Sequence, residues 1–318
     1  MLLSERYGRP EVTLTASGAA AVEATFRWLG LGPGDEVIVP DTGCYKIAAA
    51  AVREGATPIF ADVGRSLVLG PQVVSAAFTT RTRCVVCVHQ YGLVAPVEAV
   101  RRVLPPEVAV IEDAAQAWDA WVDGRRIGRD GDATVISFGA SKPVPVGAGG
   151  AVLGDDARMR EWIGSDAPEH RLLATPPTPA PFPKPLLPAL AERLVAADQA
   201  VAEQRQFVQA LAPLFGVPGF VAVPTAPGDR PSWHRVPVWC ANVRLQQRLL
   251  RSADAVGIHA QAEHEVALPS LPMFAGLSRH VRIGEPALDG RLVVLKPRDG
   301  PRRVDALLST VSAPPAGG

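Results

Sequence analysis

The chain has 318 residues, and its 32 basic and 32 acidic side chains give a formal net charge of zero. This balance argues against a protein that coats nucleic acid or an anionic membrane, because both tasks need an excess of positive charge. Hydrophobic residues make up 47% of the chain and charged residues 20%, as in a globular protein and unlike a disordered one. No apolar run reaches the roughly 20 residues of a membrane span. Charge at Glu5 and Arg6 comes before any apolar region could form, so we expect no signal peptide. We therefore expect a cytoplasmic protein that binds neither nucleic acid nor membrane.

Short apolar runs alternate with helical stretches from about residue 13 to residue 153. This βαβ pattern predicts a mostly parallel sheet with helices on both faces. The predicted strands are Glu36–Val39, Thr57–Phe60, Cys84–His89, Val108–Glu112, Thr134–Phe138 and Ala151–Leu153. The predicted helices between them are Gly18–Leu29, Tyr45–Arg53, Gln72–Phe78 and Pro96–Val103.

The composition changes after this region. Eight prolines lie between Pro168 and Pro188, which excludes a regular helix or an inner strand. The elements predicted beyond them are helices at Pro188–Leu211, Leu245–Val256 and Val304–Val311 and weaker strands at Val236–Val243 and Arg291–Leu295. We therefore predict a large domain over residues 10–195, with a proline-rich surface excursion at about 168–188, and a smaller α+β domain over residues 196–312.

The four cysteines are too few for a disulfide framework. Cys84 and Cys87 have the spacing of some metal sites, but they lie in a predicted strand. Side chains three residues apart in a strand point to opposite faces, so we predict two buried thiols there. No metal site is predicted anywhere in the chain.

Lysine chemistry is easy to enumerate, because lysine occurs only at Lys46, Lys142, Lys184 and Lys296. Lys142 lies in a loop just after a predicted strand, and a glycine-rich run follows it at residues 147–150. Open α/β sheets bind their ligands at this edge, and a lysine there can form a Schiff base with a carbonyl group. A solvated loop lysine is the other explanation of this segment. Lys46 is the second candidate for the same chemistry, but it lies in a predicted helix.

Two further segments bring polar groups to the same edge of the predicted sheet. Glu112 and Asp113 end a buried strand, and a buried carboxylate needs a cationic partner, such as the nitrogen of a pyridinium ring. The alternative is that Asp113 caps a following helix.

Ser17, Gly18 and Ala19 open the first predicted helix, whose free N–H groups can bind a phosphate. The alternative here is an ordinary serine N-cap.

A phosphate cradle, a carboxylate for a ring nitrogen and a lysine are, in this order, the parts of a pyridoxal 5′-phosphate (PLP) site. The arrangement resembles the DegT/DnrJ/EryC1/StrS family of PLP-dependent aminotransferases of fold type I. The resemblance runs through residues 15–153 and is carried by SGAA at 17–20, LGPGDEVIVP at 31–40, GATPIF at 55–60, HQYG at 89–92, EDAAQA at 112–117 and Ser137 five residues before Lys142.

The resemblance implies a role for each matching residue. Lys142 would hold the cofactor covalently and later move the substrate proton, and Asp113 would pair with the pyridinium nitrogen, which makes these two the predicted catalytic residues. Gln116 would lie near the phenolic oxygen of the cofactor. The residues implied to bind its phosphate are Ser17, Gly18, Ala19 and Ser137. His89, at the family's His-x-x-Gly position, is predicted to be structural.

Three positions differ from the family pattern. Cys44, with Tyr45 beside it, stands where relatives place an aromatic residue against the pyridine ring. We therefore expect Cys44 to contact the cofactor with a weaker ring stack, or Tyr45 to supply the stack through a local shift. Pro143 follows Lys142, where relatives have a polar residue. The proline-rich stretch occupies the place of an Asn-Tyr-Arg-type motif, whose asparagine in relatives reaches the cofactor phosphate of the partner subunit.

The resemblance implies a homodimer with a large, doubly wound, mostly parallel α/β domain and a smaller C-terminal α+β domain. The implied reaction moves an amino group from an amino-acid donor to a keto or aldehyde acceptor, either a nucleotide-linked keto-sugar or another biosynthetic intermediate. The missing Asn-Tyr-Arg segment leaves open another PLP reaction on an amino acid, such as elimination, decarboxylation or carbon–carbon bond chemistry. A degenerate relative with a binding or regulatory role is a third hypothesis, against which Lys142 and Asp113 argue.

Overall fold

The structure, a computed structural model, describes residues 2–159, 181–263, 267–283, 291–297 and 303–312. The first part of the predicted proline-rich excursion, residues 168–180, lies outside these ranges. Its remainder, residues 181–188, lies within them and leads into a helix.

The strands and helices of the described ranges follow the chain in this order. The strands are β1 (Glu11–Thr15), β2 (Glu36–Pro40), β3 (Thr57–Ala61), β4 (Thr82–Val88), β5 (Ala109–Asp113), β6 (Trp121–Val122), β7 (Arg125–Arg126), β8 (Ala133–Ser137), β9 (Gly150–Gly154), β10 (Phe220–Ala222), β11 (Val236–Cys240), β12 (Ala260–Ala262), β13 (Arg279–Val281) and β14 (Leu292–Leu295). The α-helices are α1 (Leu2–Tyr7), α2 (Gly18–Trp28), α3 (Tyr45–Arg53), α4 (Pro71–Ala77), α5 (Val97–Arg102), α6 (Leu187–Leu211), α7 (Val243–Ala255) and α8 (Val304–Ser312).

The large sheet has eight strands in the order β1-β9-β8-β5-β4-β2-β3-β13. Within it β9 runs antiparallel to both of its neighbours, while the other seven strands share one direction. Parallel strands must be joined by crossover segments, which here contain α2, α3, α4 and α5. The predicted mostly parallel sheet is therefore confirmed, and the sequence analysis missed β1 and β13 at its two edges.

Helices cover both faces of this sheet, because neighbouring residues of each strand point to opposite sides. Val37 and Val39 pack in one core with the alanine-rich faces of α2 and α3. Ile38, between them, packs in a second core with α4 and α5. Cys84 belongs to the first core and Cys87 to the second, so the prediction that these buried thiols lie on opposite faces is confirmed.

The C-terminal part of the chain forms a four-stranded antiparallel sheet in the order β10-β11-β14-β12, with α7 and α8 packed in its core. Helix α6 connects the two sheets: Leu190 and Val201 pack on the large sheet, and Phe207 packs on the small one. The boundary predicted at residue 195 falls inside this helix. Strand β13 returns from the C-terminal part to pair with β3 in the large sheet. No helix in the described ranges is long and apolar enough to cross a membrane.

Gly147 and Gly149 precede β9 and share the same left-handed backbone angle, φ +102°. A Cβ atom on Gly149 would lie 2.2 Å from Cε2 of Phe182, whereas a Cβ atom on Gly147 would meet nothing within 4 Å. The buried ring of Phe182 packs edge-on against Phe138, with centroids 6.2 Å apart. Alanine at position 147 would therefore introduce backbone strain alone, whereas alanine at position 149 would introduce the same strain and also crowd the core.

We expect Gly149→Ala to lower the free energy of unfolding by roughly 1–3 kcal/mol more than Gly147→Ala does, because only the first displaces the Phe182 ring. Urea unfolding of the two variants and the wild type measures this difference. Equal losses in both variants would show that Phe182 does not pack against Gly149.

Candidate active site

A cavity of about 400 Å³ lies at the carboxyl ends of β4, β5 and β8. Its walls include all eight residues predicted to bind a cofactor, namely Ser17, Gly18, Ala19, Cys44, Asp113, Gln116, Ser137 and Lys142. Val88, Asp113 and Val135 are in register across the three strands, so their side chains share one face and line the cavity together. The fold therefore brings the predicted residues into one space, and their roles there remain predictions.

The start of α2 forms one end of the cavity. Ser17 is the N-cap of α2, and its Oγ accepts a hydrogen bond of 3.1 Å from the amide of Ala20. The amides of Gly18 and Ala19 belong to the first turn, where N–H groups have no partner inside a helix. A Cβ atom on Gly18 would lie 2.6 Å from Cβ of Ser137, so only glycine lets α2 approach Ser137 this closely. The hydroxyl of Ser137 and these amides suit a phosphate group.

Asp113 forms the wall next to this end and is only 6% exposed. Burial raises the pKa of its carboxyl group, although the hydrogen bond of 2.8 Å from the amide of Ala115 and the charge of Lys142 oppose this rise. Residues 114–120 form turns, so the alternative that Asp113 caps a following helix is wrong. A buried carboxylate with a raised pKa gains stability from a cationic partner, such as a protonated ring nitrogen.

Glu112, the neighbour of Asp113, is buried on the opposite face of β5. Its carboxylate accepts hydrogen bonds of 2.7–2.8 Å from the amides of Gly128, Asp130 and Gly131, and one of 3.2 Å from Nε2 of His89. Nδ1 of His89 accepts from the amide of Ala95, so Nε2 carries the proton. Burial of Glu112 raises its pKa, but the bonds from His89 and the amides outweigh this effect and lower it. His89 therefore lies in a structural network.

Gln116 is held in one orientation by the backbone of Tyr91, whose amide donates a hydrogen bond of 3.0 Å to Oε1 of Gln116. Because Oε1 is used in this way, Nε2 of Gln116 is the group available to an acceptor in the cavity. Tyr91 is itself fixed: its backbone is left-handed, with φ 58°, and its hydroxyl donates to Glu263 at 2.6 Å. Burial and the nearby Glu263 raise the pKa of Tyr91, so the hydroxyl keeps its proton.

The contact between Tyr91 and Glu263 joins the large sheet to the C-terminal part of the chain. Glu263 also binds Arg235, at 2.6 Å, and the side-chain amide of Gln261. Sequence reasoning missed this network, because 172 positions separate Tyr91 from Glu263 and the HQYG segment that contains Tyr91 gives no signal of a partner so far along the chain.

Lys142 is half-buried and lies between two cavities. Its amide donates to the carbonyl oxygen of Gly139, which closes the turn after β8. The second cavity also measures about 400 Å³, and its polar lining comes from Arg193, Glu203, Gln204 and His234. Lys142 is thus accessible from the cavity that contains Asp113 and from a neighbouring one.

The N-terminus of α3 forms the other end of the first cavity. Cys44 is the exposed N-cap of α3 and lines the cavity, while the side chain of Tyr45 is 44% exposed. Lys46 lines the same cavity, so two of the four lysines meet there. Sequence reasoning placed Lys46 second because it lies in a helix. The signal in the sequence that could have placed Lys46 in the cavity was its position two residues after Cys44, which was already predicted to contact the cofactor.

A model of the DegT/DnrJ/EryC1/StrS aminotransferase family matches residues 2–165, just over half of the chain. The chain belongs to this family. The predicted resemblance is therefore confirmed, and with it an aminotransferase of PLP fold type I.

Two named relatives of the family show how far the similarity extends. The dTDP-3-amino-3,4,6-trideoxy-alpha-D-glucose transaminase of Streptomyces venezuelae is 31% identical over 268 residues, which cover 82% of this chain and 70% of that enzyme. The L-glutamine:2-deoxy-scyllo-inosose aminotransferase of Streptomyces fradiae is 34% identical over 180 residues, or 56% of this chain and 42% of that enzyme. The second match spans less than half the length of the relative.

Solved structures agree with the fold. S. venezuelae DesV, solved in complex with a ketimine intermediate, superposes with a TM-score of 0.80 at 29% identity over 97% of this chain and 87% of that one. An aminotransferase of the same family from Brucella abortus gives a TM-score of 0.84 at 21% identity, with the same shares covered.

The aminotransferases of this family use PLP, and the described lining of the cavity fits that cofactor. Gly18, Ala19 and Ser137 offer donors for a phosphate, and Asp113 offers a buried carboxylate for a ring nitrogen. Lys142 supplies an amine in the same space.

We expect Asp113→Asn to stabilise the cofactor-free protein at neutral pH and to weaken PLP binding. The raised pKa means that the unfolded carboxyl ionises before the folded one, so the wild type loses stability as the pH rises through this interval. The gain should be about 1–3 °C in Tm at neutral pH and should shrink in acid, where both states are protonated. The affinity for PLP should fall about tenfold or more through the loss of one charged hydrogen bond.

Thermal unfolding of the cofactor-free proteins at several pH values and absorbance titration with PLP measure these two effects. Asp254→Asn, an exposed carboxyl on α7, is the control and should change neither. A drop in both stability and PLP affinity would show that Asp113 supports the fold itself.

Proposed function

We propose that this chain is a PLP-dependent aminotransferase that transfers an amino group from an amino acid to a keto-sugar or keto-cyclitol. One observation carries the proposal: Lys142, Asp113 and the start of α2 line a single cavity at the carboxyl edge of the sheet. An amine, a buried carboxylate and a phosphate-binding helix end are the protein groups that such a reaction requires.

Each residue contributes a specific interaction. The amides of Gly18 and Ala19 and the hydroxyls of Ser17 and Ser137 would bind the cofactor phosphate, and Cys44 would contact the cofactor. When bound, PLP supplies a carbonyl carbon that condenses with amines and a ring that withdraws electrons.

The remaining side chains control protons. The carboxylate of Asp113, which is buried, would hold the proton on the ring nitrogen. Nε2 of Gln116 would donate to the phenolic oxygen of the cofactor in the orientation that Tyr91 fixes. Lys142 would anchor the cofactor and then move a proton at the α-carbon of the donor.

The acceptor is proposed from the second cavity and from the named relatives. Guanidinium, carboxylate, amide and imidazole groups line this cavity beside Lys142 and suit a ligand with several hydroxyl groups. The S. venezuelae and S. fradiae relatives are named for a dTDP-linked amino sugar and for 2-deoxy-scyllo-inosose. The S. fradiae name also contains L-glutamine, so we propose glutamine or glutamate as the donor.

We expect PLP to give the wild type a visible absorption band, and borohydride reduction followed by peptide mapping to place the label on Lys142. L-glutamine alone should convert the bound cofactor to pyridoxamine phosphate, which elimination or decarboxylation would not do.

Lys142→Ala should lose the label and slow this conversion by about 100- to 10,000-fold, the usual contribution of a positioned acid–base group. Lys184→Met, an exposed lysine outside the cavity lining, is the control and should behave as wild type. A label on Lys46, or no band, would contradict the assignment.

We also propose a homodimer, which is supported by the family and by the open rim of the cavity at Cys44, Tyr45 and Lys46. A partner chain over this rim would exclude water from the reacting groups. Sedimentation equilibrium should give twice the 33.5 kDa of one chain. A monomer that still binds PLP and transfers amino groups would disprove this part of the proposal.

A further inference from the structure

Two helix N-termini meet at the proposed cofactor cavity. The first turn of α2 lines one end through Ser17, Gly18 and Ala19. The first turn of α3 lines the other end through Lys46 and Ile47, next to the N-cap Cys44. Because helix dipoles and free N–H groups make N-termini attractive to anions, the cavity has two positively polarised ends.

The two ends approach the cavity from different strands of the sheet. Ser137, beside the start of α2, ends β8, while α3 follows β2. Strands β5 and β4 lie between β8 and β2 in the sheet, which gives three strand spacings, or about 14 Å. The cofactor has one phosphate, which the Gly18–Ser137 end is built to bind. The α3 end is therefore available to a second anion.

The charges of the cavity lining point to the same end. Among the described lining residues, Lys142 and Lys46 are the cations and Asp113 is the carboxylate. The proposed function uses Lys142 for the cofactor and Asp113 for the ring nitrogen, so the ammonium group of Lys46 is not used by it. The side chain of Cys44 makes no capping hydrogen bond to the first turn of α3. The amide of Ile47 donates to the carbonyl oxygen of Cys44 at 3.3 Å, so the amides of Tyr45 and Lys46 are the ones that a ligand would use. Lys46 is also exposed at the rim of the cavity.

We propose that Lys46 and the N-terminus of α3 bind the α-carboxylate of the amino donor and so select amino acids over simple amines. This inference rests on the proposed function. In an amino acid, the α-carboxylate is two bonds from the amino nitrogen, so it must lie in the cavity where that nitrogen reacts. Arg193 lines the neighbouring cavity, which shares Lys142 but not Asp113 with the first. Lys46 is therefore the cation on the correct side of Lys142.

The test uses glutarate, a dicarboxylate without an amino group, as a probe of the PLP-loaded full chain. Glutarate binding is followed by the absorbance of the bound cofactor, and PLP affinity is measured separately on each variant. We expect Lys46→Met to raise the Kd for glutarate about tenfold or more, the effect of one charge-assisted hydrogen bond. Lys46→Arg should restore most of the affinity, and PLP affinity should stay within about twofold of the wild type. Lys184→Met is the matched control and should change neither value.

A second measurement tests selection directly. The rate of amino transfer from L-glutamine is compared with that from 4-aminobutanamide, which is glutamine without its α-carboxylate. Lys46→Met should lower the preference for glutamine about tenfold by slowing only the amino acid.

An unchanged Kd for glutarate in Lys46→Met, or a wild type that does not bind glutarate, overturns the inference. It is also overturned if Arg193→Met loses glutarate binding while Lys46→Met retains it, or if Lys46→Met loses affinity for PLP instead, because Lys46 would then bind the cofactor phosphate. A wild type that forms no visible band with PLP contradicts the proposed function itself, and that result is seen before any glutarate is added.

Discussion

The close approach of α2 to the end of β8 is the constraint on which the rest of the site depends. A Cβ atom on Gly18 would lie 2.6 Å from Cβ of Ser137, and one on Gly150 would lie 2.6 Å from the backbone of Ser17. Two glycines therefore let a helix start, a strand end and the first residue of β9 meet in one place. This contact directs the amides of α2 toward the cavity and sets the distance from that end to Asp113 and Lys142.

Side chains alternate along β5, so the neighbouring carboxyl groups of Glu112 and Asp113 lie on opposite faces of the sheet and have different roles. Glu112 accepts four hydrogen bonds, and its pKa is lowered. Asp113 faces the cavity, where burial raises its pKa despite one amide bond and the charge of Lys142. The ionised form of Glu112 therefore stabilises the fold, while that of Asp113 costs stability until a cation binds beside it. The end of β5 thus provides Glu112, which stabilises the fold beside the site, and Asp113, whose ionised form is destabilised in the cavity wall.

Local patterns predicted much of the site, because the groups that form it belong to short segments. The apolar runs identified the inner strands β2, β3, β4, β5 and β8, and parallel strands place their carboxyl ends at one edge. Strands at an edge are less buried and carry weaker apolar patterns: only Thr15 of the five residues of β1 is buried, and none of the three residues of β13 is, which is why both strands were missed. The resemblance over residues 15–153 then named eight lining residues that the structure gathers in one cavity.

The sequence by itself determined the sheet, its parallel strands and the segments that meet at its carboxyl edge, because hydrophobic periodicity and turn residues act over a few positions. Only the tertiary structure decided that Lys46 shares the cavity with Lys142 and that α3 brings a second N-terminus to it. The bond between Tyr91 and Glu263, which helps to fix Gln116, likewise joins residues far apart in the chain. Such contacts depend on how separate elements pack, and packing leaves no periodic signal in either segment alone.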